Sequence, residues 1–149
     1  MKEKYPALGS LVPHKFNALP KGVKIIDFDK EKKRIWLVKK VLKSDLVRGH
    51  FPDPLPSIVR GTDTVEWGAI FGAALEKMLH PEFPENALPQ FRKINEAEFP
   101  KKIFRGDTLI VMVTEERYRT KSYIFDIRIC NQDGDIVTTA NILGMIQRV

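Results

Sequence analysis

Cysteine is almost absent. Cys130 is the single one among 149 residues, so no internal disulfide can brace the chain, and "DIRICNQ" around it offers no C-x-x-C pair or nearby histidine for a metal or redox role. Cys130 reads as a strand residue. Long apolar runs are missing too: the longest, such as "TLIVMVT" from Thr108, fall far short of the roughly 20 residues of a bilayer-crossing helix. The charged opening "MKEKYP" leads into no secretory apolar segment, and a cytoplasmic protein is expected. Without repeats, low-complexity stretches or a linker, residues 1–149 are expected to fold as one domain. A chain this long buries roughly two-thirds of its unfolded surface without metal or disulfide support. There is no G-x-S-x-G, no P-loop and no G-x-G-x-x-G, so the usual signatures of serine hydrolases and nucleotide binders are lacking.

Acidic charge is the minority: 19 Asp and Glu against 25 Lys and Arg give a formal net charge of +6. That surplus favours acidic partners at long range, whether nucleic acid, a membrane surface or an acidic carrier protein. The basic residues are dispersed among acids and no zinc-finger, RRM or KH signature is present, which makes nucleic acid the weaker option.

What is present is strand-rich. "VKIIDF" from Val23 and "RIWLVKKV" from Arg34 are β-branched runs joined by the charged turn "DKEKK", the pattern of a hairpin. From Thr62 the period changes: Val65, Ala69, Ile70, Ala73 and Met78 recur at helical spacing until Pro81 and Pro84 end the helix. Gly68, Ala69, Gly72 and Ala73 give it a small face, suited to close packing inside a curved sheet. "QFRKINEAEF", "DTLIVMVTEE", "SYIFDIRIC" and, after the turn "NQDG", "DIVTTANILGMI" complete six strand candidates. "RGD" at Arg105–Asp107 is a turn entering a strand. The expected fold class is α+β, an antiparallel sheet around one long helix.

Two side chains carry candidate chemistry. His50 follows Gly49 where strand becomes loop, and Phe51-Pro52 stiffens what comes next; a near-neutral imidazole on such a loop suits a general base, or simply a hydrogen bond within a turn. Glu66 sits in the first turns of the apolar helix, where desolvation would keep it protonated as a general acid. Alternatively Asp63 with Glu66 three residues on makes a capping box. Gly61 precedes the helix, so its amide is a candidate donor to an anion or a polarised carbonyl. His14 in "LVPHKF" and His80 at the helix end read as local structure, and three scattered histidines make no metal motif.

Together these residues resemble the β-hydroxyacyl-acyl carrier protein dehydratases, a hot-dog-fold family. The most specific match is "GHFP" at Gly49–Pro52, followed by a glycine opening the central helix, Gly61, and an acid five residues later, Glu66. "LVPHKF" is similar to the family's "PHRYP" opening, and "FPKKIFRGDTL" from Phe99 to its "FRQPVLPGDQL" segment. The resemblance implies a curved sheet wrapped around one long helix, and a homodimer, or a higher oligomer of dimers, with acyl tunnels at the interface. It implies His50 as the base that removes the α-proton of a 3-hydroxyacyl thioester, the Gly61 amide as the carbonyl-polarising donor, and Glu66 from the partner subunit as the acid. Phe51, Val59, Arg60 and Trp67 are then expected along the substrate path. No metal or organic cofactor is implied, because the acyl chain arrives on the phosphopantetheine of an acidic acyl carrier protein or on coenzyme A. Arg92, Lys93, Lys101, Lys102 and Arg105 fall on the segment expected to face that carrier.

Three departures stand out. The loop between His50 and Gly61 is two residues longer than the family pattern, with Pro54 and Pro56 in it; Arg60 replaces the usual proline; and Ile70 stands where a glutamine usually follows the acid. They suggest an altered substrate or a specialised pathway. Thioester hydrolysis on the same fold and a non-catalytic acyl-binding module are the competing functions.

Overall fold

The computed structural model describes residues 4–12, 19–46, 58–82 and 87–148. Six strands form one antiparallel sheet: β1 (Val23–Asp29), β2 (Arg34–Lys40), β3 (Ala87–Glu98), β4 (Thr108–Tyr118), β5 (Ser122–Cys130) and β6 (Ile136–Arg148). Their order across the sheet is β1-β2-β4-β5-β6-β3, with one long helix, α1 (Gly61–Leu79), laid on one face. This is the expected α+β, hot-dog arrangement.

Alternation builds the core. Ile35 and Leu37 of β2 and Leu109, Val111 and Val113 of β4 have no exposed surface and register against each other, Ile35 with Val113 and Leu37 with Val111. β5 continues the row with Phe125, Ile127 and Ile129. Phe71, Ala74 and Leu75 of α1 are equally buried against this face. The small face of the helix is what allows the approach: a Cβ built on Gly68 would overlap the Ile127 side chain, and one on Gly72 the Phe125 ring. A buried hydrogen bond of 2.9 Å between Thr64 Oγ1 and Thr138 Oγ1 ties the helix to β6.

The turns follow their chemistry. In "NQDG" the Asn131 side chain accepts from the amides of Asp133 and Asp135 at 3.0 Å each, and Gly134 takes φ +81°, a conformation that favours glycine. Gly106, at φ +88°, closes the "RGD" turn before β4. Strand β3 ends the sheet, leaving its outer edge without a neighbour among the described residues.

Candidate functional site

The site is built at the N-terminal end of α1. Residues 58–59 are held extended beside the segment after β3: Ile58 bridges Phe104, and the Val59 amide donates to the Ile103 carbonyl at 3.1 Å. That pairing delivers the chain to Gly61, the first residue of the helix, whose amide is among those a helix leaves without an internal acceptor. A Cβ on Gly61 would come within 2.8–2.9 Å of the Phe99 ring, so glycine lets that aromatic lie against the helix start.

Next to it lies a cavity of about 560 Å³ between α1 and strands β3, β5 and β6. One wall is a helical stripe that includes Glu66, Ala69, Ile70 and Ala73; the other includes Phe91, Ile94, Tyr123 and Phe125. Glu66 is the one carboxylate among the lining residues. Tyr123 lies over Gly144, where any Cβ would overlap its ring, and burial holds its phenol above the ordinary tyrosine range. Its hydroxyl is therefore a neutral hydrogen-bonding group at neutral pH. Ile70 keeps this stretch of the wall apolar. On the β3 side the cavity is lined by Phe91 and Ile94, 50% and 42% exposed, and by Phe99 just past the strand, 45% exposed.

Of the residues singled out in the sequence, Glu66 and Gly61 come together here, one lining the cavity and the other against its Phe99 wall. Glu66 is exposed, so the chain does not supply the expected desolvation. Val59 is buried beneath the helix start. Arg60 turns away to Asp63, pairing through both guanidinium and carboxylate edges at 3.1 and 3.2 Å, and the Asp63 carboxylate holds the guanidinium above its ordinary range. The capping box does not form, because the helix begins at Gly61 and Asp63 stands inside its first turn. Trp67 packs into the core, where Lys39 Nζ sits 4.9 Å from its ring, and it is not among the cavity-lining residues. His14, His50 and Phe51 lie outside the described residues, as do Gly49, Pro52, Pro54 and Pro56. Of the basic residues expected to face a carrier, Arg92, Lys93, Lys102 and Arg105 are exposed, and Lys101 pairs with Asp135 at 2.9 Å. Tyr123, Phe91 and Phe99 were not singled out; the alternation of "SYIFDI", which puts Tyr123 and Phe125 on one face, was the available signal for the first.

No protein-family model matches the chain. Among curated proteins it is similar to the 3-hydroxyacyl-acyl-carrier-protein dehydratase FabZ of Cupriavidus metallidurans, with 25% identity over 142 residues covering 93% of this chain and 89% of that protein. Against the protein of the same name from Polynucleobacter asymbioticus the identity is 29% over 132 residues, covering 89% and 85%. Among solved structures, the dehydratase heterocomplex ApeI:P from Xenorhabdus doucetiae superposes with a TM-score of 0.80 at 12% identity, covering 97% of this chain and 93% of that one. A hypothetical thioesterase with coenzyme A from Streptococcus pneumoniae gives 0.68 at 14% identity, covering 91% and 94%. The structural likenesses establish the fold, and the resemblance to the dehydratases extends along nearly the whole chain.

Proposed function

We propose that the protein dehydrates 3-hydroxyacyl thioesters to trans-2-enoyl thioesters. The observation that carries this reading is the apolar cavity with Glu66 on its wall, at the end of the helix where the Gly61 amide is available. An acyl chain would occupy the cavity against Phe91, Ile94 and Phe125. The thioester carbonyl would accept from the Gly61 amide, His50 would take the proton from C2, and Glu66 would give its proton to the C3 hydroxyl, which leaves as water as the double bond forms. The curated dehydratase relatives and the "GHFP" motif support these roles.

The reading needs two chains. The resemblance takes the acid, Glu66, from the partner subunit, and the exposed edge of β3 beside the cavity is suited to pairing with a second copy, which would cover it. The substrate would be carried on phosphopantetheine, with the exposed basic residues Arg92, Lys93, Lys102 and Arg105 facing an acidic carrier protein.

A second reading rests on the exposure of Glu66. Acting as a base from an exposed position, it would activate a water molecule, giving thioester hydrolysis. Hydration of trans-2-enoyl thioesters of several chain lengths, the reverse reaction, separates the two. Activity in the unaltered protein that falls by about 10²–10⁴-fold in His50→Ala and in Glu66→Gln, with neither variant changing its oligomeric state, supports dehydration. Release of free thiol without enoyl chemistry overturns it in favour of hydrolysis. Acyl-thioester binding with neither reaction leaves a non-catalytic module.

A further inference from the structure

The far end of α1 carries a second group of ionisable side chains. Glu76, in the last turn of the helix, has no exposed surface, and neither of its carboxylate oxygens has a hydrogen-bond partner among the described residues. His80, four residues on and just past the helix end, brings Nε2 to 3.3 Å from Glu76 Oε2 and to 2.7 Å from Glu115 Oε2. One imidazole nitrogen serves one hydrogen bond, and this one goes to Glu115. Glu115 occupies the core-facing row of β4 after Leu109, Val111 and Val113, its side chain 2% exposed. Behind the imidazole, Glu82 Oε1 lies 3.4 Å from Nδ1, and the ring stacks on Tyr118 at 3.5 Å between centroids.

This corner gathers acidic groups. Three carboxyl groups meet at the C-terminal end of a helix, which is itself partly negative, and Lys33 reaches Glu115 at 3.9 Å from an exposed position. A buried carboxylate without a partner is costly. Two occupants would relieve it. A proton is one: burial, then the neighbouring Glu115 carboxyl, pushes Glu76 up to about 10. A cation is the other, and it would use all three donors at once.

We propose that Glu76, His80 and Glu115 bind one first-row divalent cation, zinc above all, which fastens the end of α1 to β4. A donor atom from each residue falls within a sphere where all lie within 4.8 Å of one another. Ligands about 2.0–2.2 Å from a common ion stand about 2.8–3.6 Å apart at right-angled to tetrahedral geometry; His80 Nε2 stands 3.3 Å from Glu76 Oε2, inside that range, and 2.7 Å from Glu115 Oε2, just short of it. The imidazole argues for zinc or its neighbours over magnesium and calcium, which take oxygen ligands. Glu82 at Nδ1 is the outer carboxylate that commonly orients a ligating histidine. The site is structural and lies about 15 Å along the helix from Glu66, at 1.5 Å per residue, so it stands apart from the proposed reaction.

The test uses the full chain, treated with chelator, dialysed, and titrated with Co²⁺ by visible absorption and with Zn²⁺ by calorimetry. The expected result is one equivalent bound per chain, with a thermal midpoint that rises on metal addition. Glu76→Gln and His80→Ala should abolish both effects while keeping their circular dichroism. Glu82→Gln changes an exposed residue and carries little folding risk, and it should weaken binding by about tenfold or more. Absence of saturable binding at one equivalent overturns the site and leaves the shared proton as the occupant. Binding that is unchanged in Glu76→Gln and Glu82→Gln also overturns it, since the ion would then sit on other residues.

Discussion

Lys39 has no exposed surface, although it alternates with Ile35 and Leu37 in the core-facing row of β2. Its ammonium is answered on every side: it donates to the carbonyls of Lys21 and Lys40 at 2.6 and 2.9 Å and to Asp45 Oδ2 at 2.7 Å, and it lies over the Trp67 ring. Asp45 also accepts from the Leu42 amide, so the lysine fixes the turn that leads out of the strand toward "RGHFP". Lys39→Met would strand a nearly buried carboxylate, and breaking such a pair costs about 3–5 kcal/mol. Urea unfolding should report a loss of that order, and a smaller one when Asp45→Asn is added; a single variant as stable as the parent would refute the pairing. At this scale the sequence is legible in part. Glu66 follows from its spacing after Gly61, yet its exposure does not, because burial of a helix face depends on what covers it. Lys39 and Glu115 each put a charge into an apolar alternating row, and that break was the available sign of a buried polar contact. Glu76 and Glu115 meet only once α1 is laid on β4, which no local pattern states. Two of the three donors, Glu76 and His80 one helical turn apart, were there to be read.

The helix fits its sheet because Gly68 and Gly72 bring no Cβ. Alanine at either position would raise intrinsic helix propensity by about 1 kcal/mol, while forcing atoms into a packed core costs about 1–3 kcal/mol. The two positions differ in what must yield. At Gly68 the nearest obstacle is Ile127 Cδ1, the far end of a flexible side chain; at Gly72 it is the Phe125 ring, which is buried and rigid. Gly72→Ala should therefore lower stability by about 1–2 kcal/mol and Gly68→Ala by less, seen as an ordered shift of urea midpoints. Equal losses would mean that the ring moves as readily as the methyl. The elements themselves are read from periodicity: the helix and all six strands lie within a few residues of where alternation and helical spacing put them. The order β1-β2-β4-β5-β6-β3 is not readable that way, since the pairing of β3 with β6 joins segments separated by two other strands. The capping box was misread for a similar reason. The extended pairing of residues 58–59 with 103–104 starts the helix at Gly61, ahead of the residues whose types suggested a cap.

At the scale of the molecule, the described fold ends in an open strand. β3 presents a 12-residue edge with no neighbour beyond it, and a long edge of this kind is a template for pairing unless something covers it. Phe91 and Ile94 are half exposed on this strand and also line the cavity, so a second copy paired at the edge would bury apolar surface and close the cavity together. The same contact would take Glu66 out of water, which the proposed acid requires. Assembly and activity should then fail together. Ile94→Glu puts a charge where apolar surface must be buried, while the position is exposed enough in one chain that the fold should survive, as circular dichroism would verify. Light scattering after size exclusion is expected to give a multiple of the chain mass for the parent and a single chain for the variant, with enoyl hydration falling by about 10²-fold or more, in line with loss of an acid–base group. A variant that stays assembled and active would move the interface away from β3 and require another source of cover for Glu66. A variant that becomes monomeric yet keeps full activity would show that one chain holds a complete site, and the requirement for a covered acid would fall with it.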